Sequence, residues 1–417
     1  MGISFSTNEM TYFDKRIKIA IFASMNRVSS LTINGGIPRY LLLTISVMAA
    51  LTVANLHYNV PLLESISRDM HVSQVRANLI TVFTQGGYAI GLLFIVALGD
   101  LFDARKIIVI NFGFLIASLI AFAIGTRIEW LWATSVITGL SSVAVQMYLP
   151  MVSSYSRPEN KARNVGYIVS GLLIGVLIGR VVGGLVGQWL GWRWLYVLAA
   201  IVMVICCIVL LLLMPPLQST FKGSYLQLLR SIFQIIRDHP HIVSNAVRSS
   251  FAFASFNTLW ACMAFHMAGP PFFKGSSIVG LLGLCGIASA AAVANIGKYV
   301  DRYGVRRFNI IGLTMMLLAW AVLFVWGNSY IGLIVGIIVV DVGEQFVGLS
   351  NQSSALKVDA KASNRINTIY MTIFFIGGSL GTFLAGQGWN YLGWNGVVLV
   401  GVILVVLPLL MVIPKRH

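Results

Sequence analysis

The hydropathy pattern constrains this chain most: about twelve apolar stretches of roughly 20 residues follow one another, separated by short polar punctuation. As helix, ~20 residues rise about 30 Å, the thickness of a bilayer's hydrocarbon core. A soluble chain of 417 residues with 58% hydrophobic and only 10% charged residues would lack the polar side chains to cover its surface. The expectation is an all-α polytopic membrane protein rather than a barrel.

The expected spans are 40–57, 76–98, 106–125, 130–153, 164–188 and 192–214, then 241–267, 276–297, 306–326, 329–352, 367–388 and 394–413. They divide the chain into a tail (1–39), a first six-helix bundle (40–214), a linker (215–240), a second bundle (241–413) and a short tail (414–417). The apolar run 17–25 is short and flanked by Lys15, Arg16, Lys18 and Arg27, with no convincing cleavage site, so the first tail reads as unprocessed.

A net charge of +16 could point to nucleic acid, but its distribution argues otherwise. Of the 29 Lys and Arg, 23 fall on the side that holds both tails, with Arg248 in the first turns of span 241–267 counted among them, five (Arg68, Arg76, Arg127, Arg193, Lys274) on the other, and Arg180 lies deep within a span. The positive-inside rule then places both termini in the cytoplasm. The four cysteines lie in spans without disulfide or zinc spacing, and His57 and His266 read as interfacial histidines at outer helix ends.

The chain repeats itself. "GDLFDARK" (Gly99 to Lys106) follows the second span and "GKYVDRYGVRR" (Gly297 to Arg307) the eighth, with their glycines and aspartates both 198 residues apart. "GQWLGW" and "GQGWNYLGW" echo each other at the ends of the two halves, which implies two pseudo-symmetric bundles. In the linker, Tyr225, Leu229, Ile232 and Ile236 share one face of an amphipathic helix expected to lie on the membrane surface.

At these motifs the chain resembles the major facilitator superfamily, whose loop signature Gly-x-x-x-Asp-Arg-x-Gly-x-Arg-Arg is matched at Gly297, Asp301, Arg302, Gly304, Arg306 and Arg307. The first copy keeps Gly99, Asp103, Arg105 and Lys106 but lacks the intervening glycine. The resemblance implies gating by these residues, with an aspartate and a basic cluster forming a breakable ionic latch. "ANLHYNVPLL" (Ala54 to Leu63) is similar to the pattern ending the first helix of a bacterial drug-efflux branch, with His57 and Val60 as departures. The resemblance to that branch implies proton antiport.

Asp341 and Glu344 are the two of 13 acids that fall inside a span. Three residues apart, they share a helix face, with Gln345 one turn from Asp341. An ion facing lipid costs roughly 2.5–3.5 kcal/mol, so both should face protein or a water-filled cavity. Mutual repulsion in a desolvated site favours exchange of a proton, with Asp341, nearer mid-span, as the preferred carrier. The offset of 198 pairs Gln146 with Glu344 across a central cavity. Asn55, Tyr58, Asn59, Gln85, Trp260, Asn367 and Tyr370 are further candidates to line the substrate pathway, as is Arg180.

"SGLLIGVLIGRVVGGLVGQWLGW" (Ser170 to Trp192) carries Gly171, Gly175, Gly179 and Gly183 on one face, with Gly184 beside them, and resembles the superfamily's antiporter motif with Arg180 where proline commonly stands. The glycine face is expected at the seam between the bundles, and Arg180 turned toward a cavity with an acid of the tenth span as partner.

These features point to a secondary transporter of the bacterial inner membrane that exports a small amphipathic compound in exchange for protons, as a monomer. It would need a proton gradient and no metal or organic cofactor. Symport or facilitated uptake of a sugar, peptide or siderophore is the alternative, and a receptor or scaffold a more distant one. The sequence contains neither a nucleophile–base or metal constellation nor a Gly-x-x-x-x-Gly-Lys-Ser/Thr loop, which argues against an enzyme and an ATP-driven pump.

Overall fold

A chain surrounded by lipid must satisfy its own backbone groups, and helices do so locally. The computed structural model describes residues 31–217, 223–288, 299–300, 302–359 and 362–412, and every regular element among them is helical. In chain order these are α1 (Arg39–Ala54), α2 (Leu63–Asp69), α3 (Gln74–Leu101), α4 (Ala104–Ala123), α5 (Ile128–Ser142), α6 (Tyr148–Tyr155), α7 (Lys161–Trp189), α8 (Trp192–Leu213), α9 (Tyr225–Asp238), α10 (Pro240–Ala268), α11 (Ser276–Leu282), α12 (Val305–Trp326), α13 (Tyr330–Leu356), α14 (Ser363–Leu392) and α15 (Trp394–Val412).

Nine helical segments among the described residues are long and apolar enough to cross a membrane. Three further helices lie where the sequence predicts spans: α1, with 16 residues, the segment beginning at Ser276, and α10, which is 29 residues long but more polar. Side-chain caps open several elements. Ser73 Oγ accepts from Arg76 N at the start of α3, Ser329 Oγ from Gly332 N at α13, and Ser224 with Gln227 forms a capping box on α9. The echoed glycines have a backbone reason: Gly191 (φ +85°) and Gly393 (φ +57°) adopt the left-handed region just before α8 and α15.

In the first half, α7 lies along α1, α3 along α5 and α4 along α8. Phe122 of α4 stacks on Tyr196 of α8 with centroids 4.0 Å apart. In the second half, α10 packs against α14 and α15, and α12 against α13. The halves meet where α3 runs along α14 and α7 along α11.

The linker helix α9 departs from the expected arrangement. Leu228 and Ile232 are buried against Ala97, Ile242, Ala355 and Ile366, so its inner face packs on the ends of α3, α10, α13 and α14. Tyr225 donates from its hydroxyl to the Phe94 carbonyl at 3.0 Å, and Arg365 Nη1 donates to Ser231 Oγ at 3.0 Å. Apolar surface on the linker therefore finds protein as well as the outside: Leu226 and Phe233 remain 77% and 58% exposed.

Candidate functional site

The acids sit on α13, a continuous helix, and its cavity-lining face carries Asp341, Glu344, Gln345, Gly348 and Gln352 in succession. Asp341 is 3% exposed and Glu344 4%. Gln345 Nε2 donates to Glu344 Oε2 at 2.7 Å. Both acids, with Gln345, line a cavity of about 260 Å³ between the halves, walled by α1, α3 and α7 on one side and α10, α13 and α14 on the other.

Arg180 enters the same cavity from α7. Its guanidinium lies 3.8 Å from the centroid of the Trp260 ring and 5.4 Å from that of Phe256, and the residue is 3% exposed. A guanidinium is weakly hydrated and planar, so an aromatic face offsets part of its desolvation. Gly283 leaves the space occupied by the Arg180 stem: a Cβ there would lie 2.9 Å from Arg180 Cβ and 3.2 Å from Cδ. Asp341 lies near enough to interact with Arg180 and the Trp260 indole, yet among the described residues Arg180 forms no ion pair within 4.0 Å. Arg180 Nε, Trp260 Nε1 and Asp341 Oδ1 are all buried without a hydrogen-bond partner.

Gln146 reaches the cavity from a break in the fourth expected span, where Val143–Met147 tightens to a 3-10 turn between α5 and α6. It donates from Nε2 to the Tyr88 hydroxyl at 2.9 Å, while its Oε1 is buried without a partner. Gln146 and Glu344, paired by the repeat, thus line one cavity. Tyr370 also lines it, donating to the Gly348 carbonyl at 2.8 Å with Ser249 Oγ at 2.6 Å.

The remaining walls are aromatic. Tyr88 and Phe375 meet across the halves with centroids 4.4 Å apart, and Phe253 stacks on Phe374 at 4.0 Å. Their i and i+1 spacing in an apolar helix distinguishes none of them from core residues. His57, expected at the interface, instead lines the cavity, because the chain leaves α1 at Ala54 and turns inward before Pro61. His266 is buried, with Nε2 2.9 Å from the Gly327 carbonyl and its ring stacked on Trp394.

Other expected pathway residues fall elsewhere. Asn55 bonds back to the Leu51 and Thr52 carbonyls at 2.9 and 3.3 Å, and Asn59 donates to Thr84 Oγ1 at 3.5 Å. Tyr58 is buried against α7 in the first half. None of these three lines the cavity, and Trp260 stands behind Arg180. Asn367 lines a second cavity of about 220 Å³, accepting from Gln352 Nε2 at 3.0 Å.

The glycine face of α7 packs inside the first half, not at the seam. Added Cβ atoms at Gly171, Gly175, Gly179 and Gly183 would meet the backbone of Ser46, Ala50, Ala54 and Tyr58. The α10–α14 pair repeats this arrangement, with Gly377 against Ser250 and Gly381 against Ala254. Gly184, one position round the helix from that face, is the residue at the seam: it abuts Ser276 and Gly280 of α11, and Ser276 Oγ donates to its carbonyl at 2.9 Å.

The expected latch is likewise different. Asp103 forms no ion pair among the described residues: its Oδ1 accepts from Arg105 N and Leu217 N, both at 3.0 Å, so it caps α4 and holds the chain leaving α8. Arg105 Nη2 donates to the Leu211 carbonyl at 2.6 Å, Lys106 is exposed, and Gly99 lines the second cavity. In the second copy, Gly304 (φ +81°) precedes α12, Arg302 lies 5.4 Å from the Tyr303 ring, and Arg306 and Arg307 are exposed. Gly297 and Asp301 lie outside the described residues.

Beyond the central cavity, one face of α3 is joined to the second half by a row of hydrogen bonds. Trp389 Nε1 donates to Gln74 Oε1 at 2.7 Å, Asn78 Nδ2 to the Thr382 carbonyl at 2.7 Å, and Ser379 Oγ to the Val82 carbonyl at 2.9 Å. Gln85 Nε2 then donates to Asn257 Oδ1 at 2.7 Å and its Oε1 accepts from Thr382 Oγ1 at 3.2 Å. Further along α3, Leu92, Val96, Ala97 and Gly99 line the second cavity, which shares Gln146 with the first and reaches Lys161 and Arg365 at the opposite end.

Comparison with known proteins decides the family. The Major Facilitator Superfamily profile matches residues 42–382. This chain belongs to that superfamily. The chain is 33% identical over 370 residues, 89% of this chain and 94% of the relative, to an uncharacterized transporter, YgaY, of Escherichia coli O157:H7. It is 28% identical over 371 residues, 87% of this chain and 85% of the relative, to a probable transporter, SCO4007, of Streptomyces coelicolor. Solved structures of two other transporters share the fold. A nucleoside transporter, NupG, superposes with TM-score 0.74 at 17% identity over 89% of this chain and 98% of its own. An inward-facing, unoccupied bacterial homologue of the human lysosomal transporter Spinster superposes with TM-score 0.70 at 14% identity, over 89% and 95%. The chain is an integral membrane transporter of the superfamily type.

Proposed function

We propose that this protein is a proton-coupled exporter of a small amphipathic compound, working by alternating access. It resides as a monomer in the bacterial inner membrane with both termini cytoplasmic. In this reading, α1, α10 and the segment from Ser276 complete twelve spans in two six-helix bundles, 40–214 and 241–413, joined by the linker at 215–240.

The observation that carries the proposal is the placement of Asp341, Glu344 and Arg180 in one buried cavity between the halves, sealed by α3 and α14 at one end and continued past Gln146 at the other. Moving two buried acids and a buried cation between environments requires exchange of protons or of charged substrate groups. Asp341 shares the cavity with the cation of Arg180, whereas Glu344 is hydrogen-bonded by the neutral Gln345, and on that ground Glu344 is taken as the proton carrier. This reverses the preference that depth in the span supports.

Proteoliposomes with an imposed proton gradient test the proposal against amphipathic drugs, sugars, nucleosides and siderophores. Gradient-driven flux of an amphipathic compound is expected, and Glu344→Gln should uncouple it from the gradient. Flux indifferent to the gradient in the wild type would overturn proton coupling, and wild-type coupling in Glu344→Gln would remove that residue from the role.

A further inference from the structure

The central cavity presents opposite charges on facing walls, both with unsatisfied capacity. Arg180 projects from α7, 3% exposed, its plane laid on Trp260, and its Nε is buried without a partner. Facing it on α13 are Asp341, whose Oδ1 is also unpartnered, and Glu344 one turn further along. Buried donors and acceptors left without partners carry a desolvation cost that a ligand supplying the complementary groups relieves.

A cationic substrate answers the acids and leaves Arg180 unserved. An anionic one answers Arg180 and meets Asp341 and Glu344 with repulsion. A zwitterion serves both walls, its oxyanion accepting from the edge of the stacked guanidinium and its ammonium donating to the acids. A Cβ on Gly283 would lie 2.9 Å from Arg180 Cβ and one on Gly286, three residues on, 3.5 Å from Asp341 Oδ2, so the two charged walls flank the same short stretch of chain and favour a ligand whose charges are close together. A cavity of about 260 Å³ is small beside typical ligand pockets of roughly 300–1,000 Å³, and its apolar wall is formed by Tyr88, Phe253, Phe374 and Phe375.

We propose that the transported compound is a small zwitterion of amino-acid type with an apolar or aromatic body, its carboxylate seated on Arg180 and its ammonium on the Asp341–Glu344 face. This rests on the reading of the cavity as a transport site. In the cycle, the ammonium competes with the proton at Glu344, while the carboxylate competes with Asp341 for Arg180.

Binding to the purified full-length protein in nanodiscs tests this without requiring transport. Phenylalanine, its amide, its N-acetyl derivative and the doubly blocked N-acetyl amide share one aromatic body and remove the carboxylate charge, the ammonium charge or both, the two N-acetyl members being larger by an acetyl group. Phenylalanine should bind at least about tenfold more tightly than each of the others, as expected for a lost charge-assisted hydrogen bond. In Arg180→Gln, the advantage of phenylalanine over its amide should vanish, and in Glu344→Gln its advantage over the N-acetyl derivative. Equal binding of the amide and phenylalanine by the wild type, or binding of none of the four at millimolar concentration, would overturn the proposal. Selective binding of phenylalanine without gradient-driven flux would instead count against the transport reading alone.

Discussion

Gln85 of α3 and Asn257 of α10 join the two halves through a 2.7 Å hydrogen bond buried just beyond the central cavity. The bond is neutral, and Asn257 in turn donates to the Phe253 carbonyl at 2.8 Å, so breaking the clasp strands no charge. Interhelical hydrogen bonds in membranes average about 0.6 kcal/mol, which makes several in a row closable and openable.

Linking Gln85→Cys to Asn257→Cys with a short bifunctional thiol reagent that carries a reducible bond is therefore expected to trap the sealed state, the two amides being too far apart at their Cβ atoms for a direct disulfide. Cross-linking should stop transport and reduction should restore it. Gln85→Ala alone should raise the labelling rate of a cysteine placed at the cavity wall by about threefold, the factor for ~0.6 kcal/mol. Unchanged labelling would show that the clasp contributes nothing to closure.

Arg180 and Trp260 should be coupled energetically. Deleting a buried aromatic costs about 3–5 kcal/mol, and a desolvated cation–π contact contributes about 2 kcal/mol. Thermal unfolding should rank wild type above Trp260→Phe and that above Trp260→Ala. A double-mutant cycle with Arg180→Met should return about 1 kcal/mol or more. A coupling energy of zero would deny the stacking any weight.

The repeated glycine contacts predict matched sensitivity in the two halves. Gly175→Leu and Gly381→Leu should each lower expression and melting temperature, since both positions meet the backbone of a neighbouring helix and overpacking costs about 1–3 kcal/mol or more. Gly166→Ala, where a Cβ meets nothing within 4 Å, should leave both unchanged. Equal tolerance at all three positions would contradict the packing described for α7 and α14.

Asp69, at the end of α2 outside the spans, sets an acid limit. Partial burial pushes its carboxyl up, but hydrogen bonds from Arg193 and Trp192 outweigh this and hold it below 3.8. Its contribution to stability is thus fully present above the unfolded value and lost as pH falls through the lower folded one. Melting temperature should fall less steeply with acidification in Asp69→Asn than in the wild type. Parallel curves would mean that the pair titrates alike folded and unfolded.

Three of the five basic residues on the expected outer side are paired with acids: Arg68 with Glu64 at 2.7 Å, Arg76 with Glu129, and Arg193 with Asp69. The count of basic residues raised the expectation of an asymmetry between the two sides but carried no sign of this neutralisation, since Arg76 and Glu129 are 53 residues apart. The same limit explains the linker. Its amphipathic period was visible, whereas the burial of Leu228 depended on the ends of α3, α13 and α14.

Local pattern determined the membrane class, the helical spans, the internal repeat and the isolation of Asp341 and Glu344, because each follows from composition, from periodicity or from the cost of burying an ion in lipid. Only tertiary structure decided that Asp103 caps a helix, that His57 faces the cavity, that the glycine face of α7 rests on α1 while Gly184 meets α11, and that Arg180 lies on Trp260. These outcomes depend on which helix stands opposite a given face. The physical reason is that a helix period tells which residues share a face, while the neighbour it meets is set by contacts between segments far apart in the chain, as with the 172 residues that separate Gln85 from Asn257.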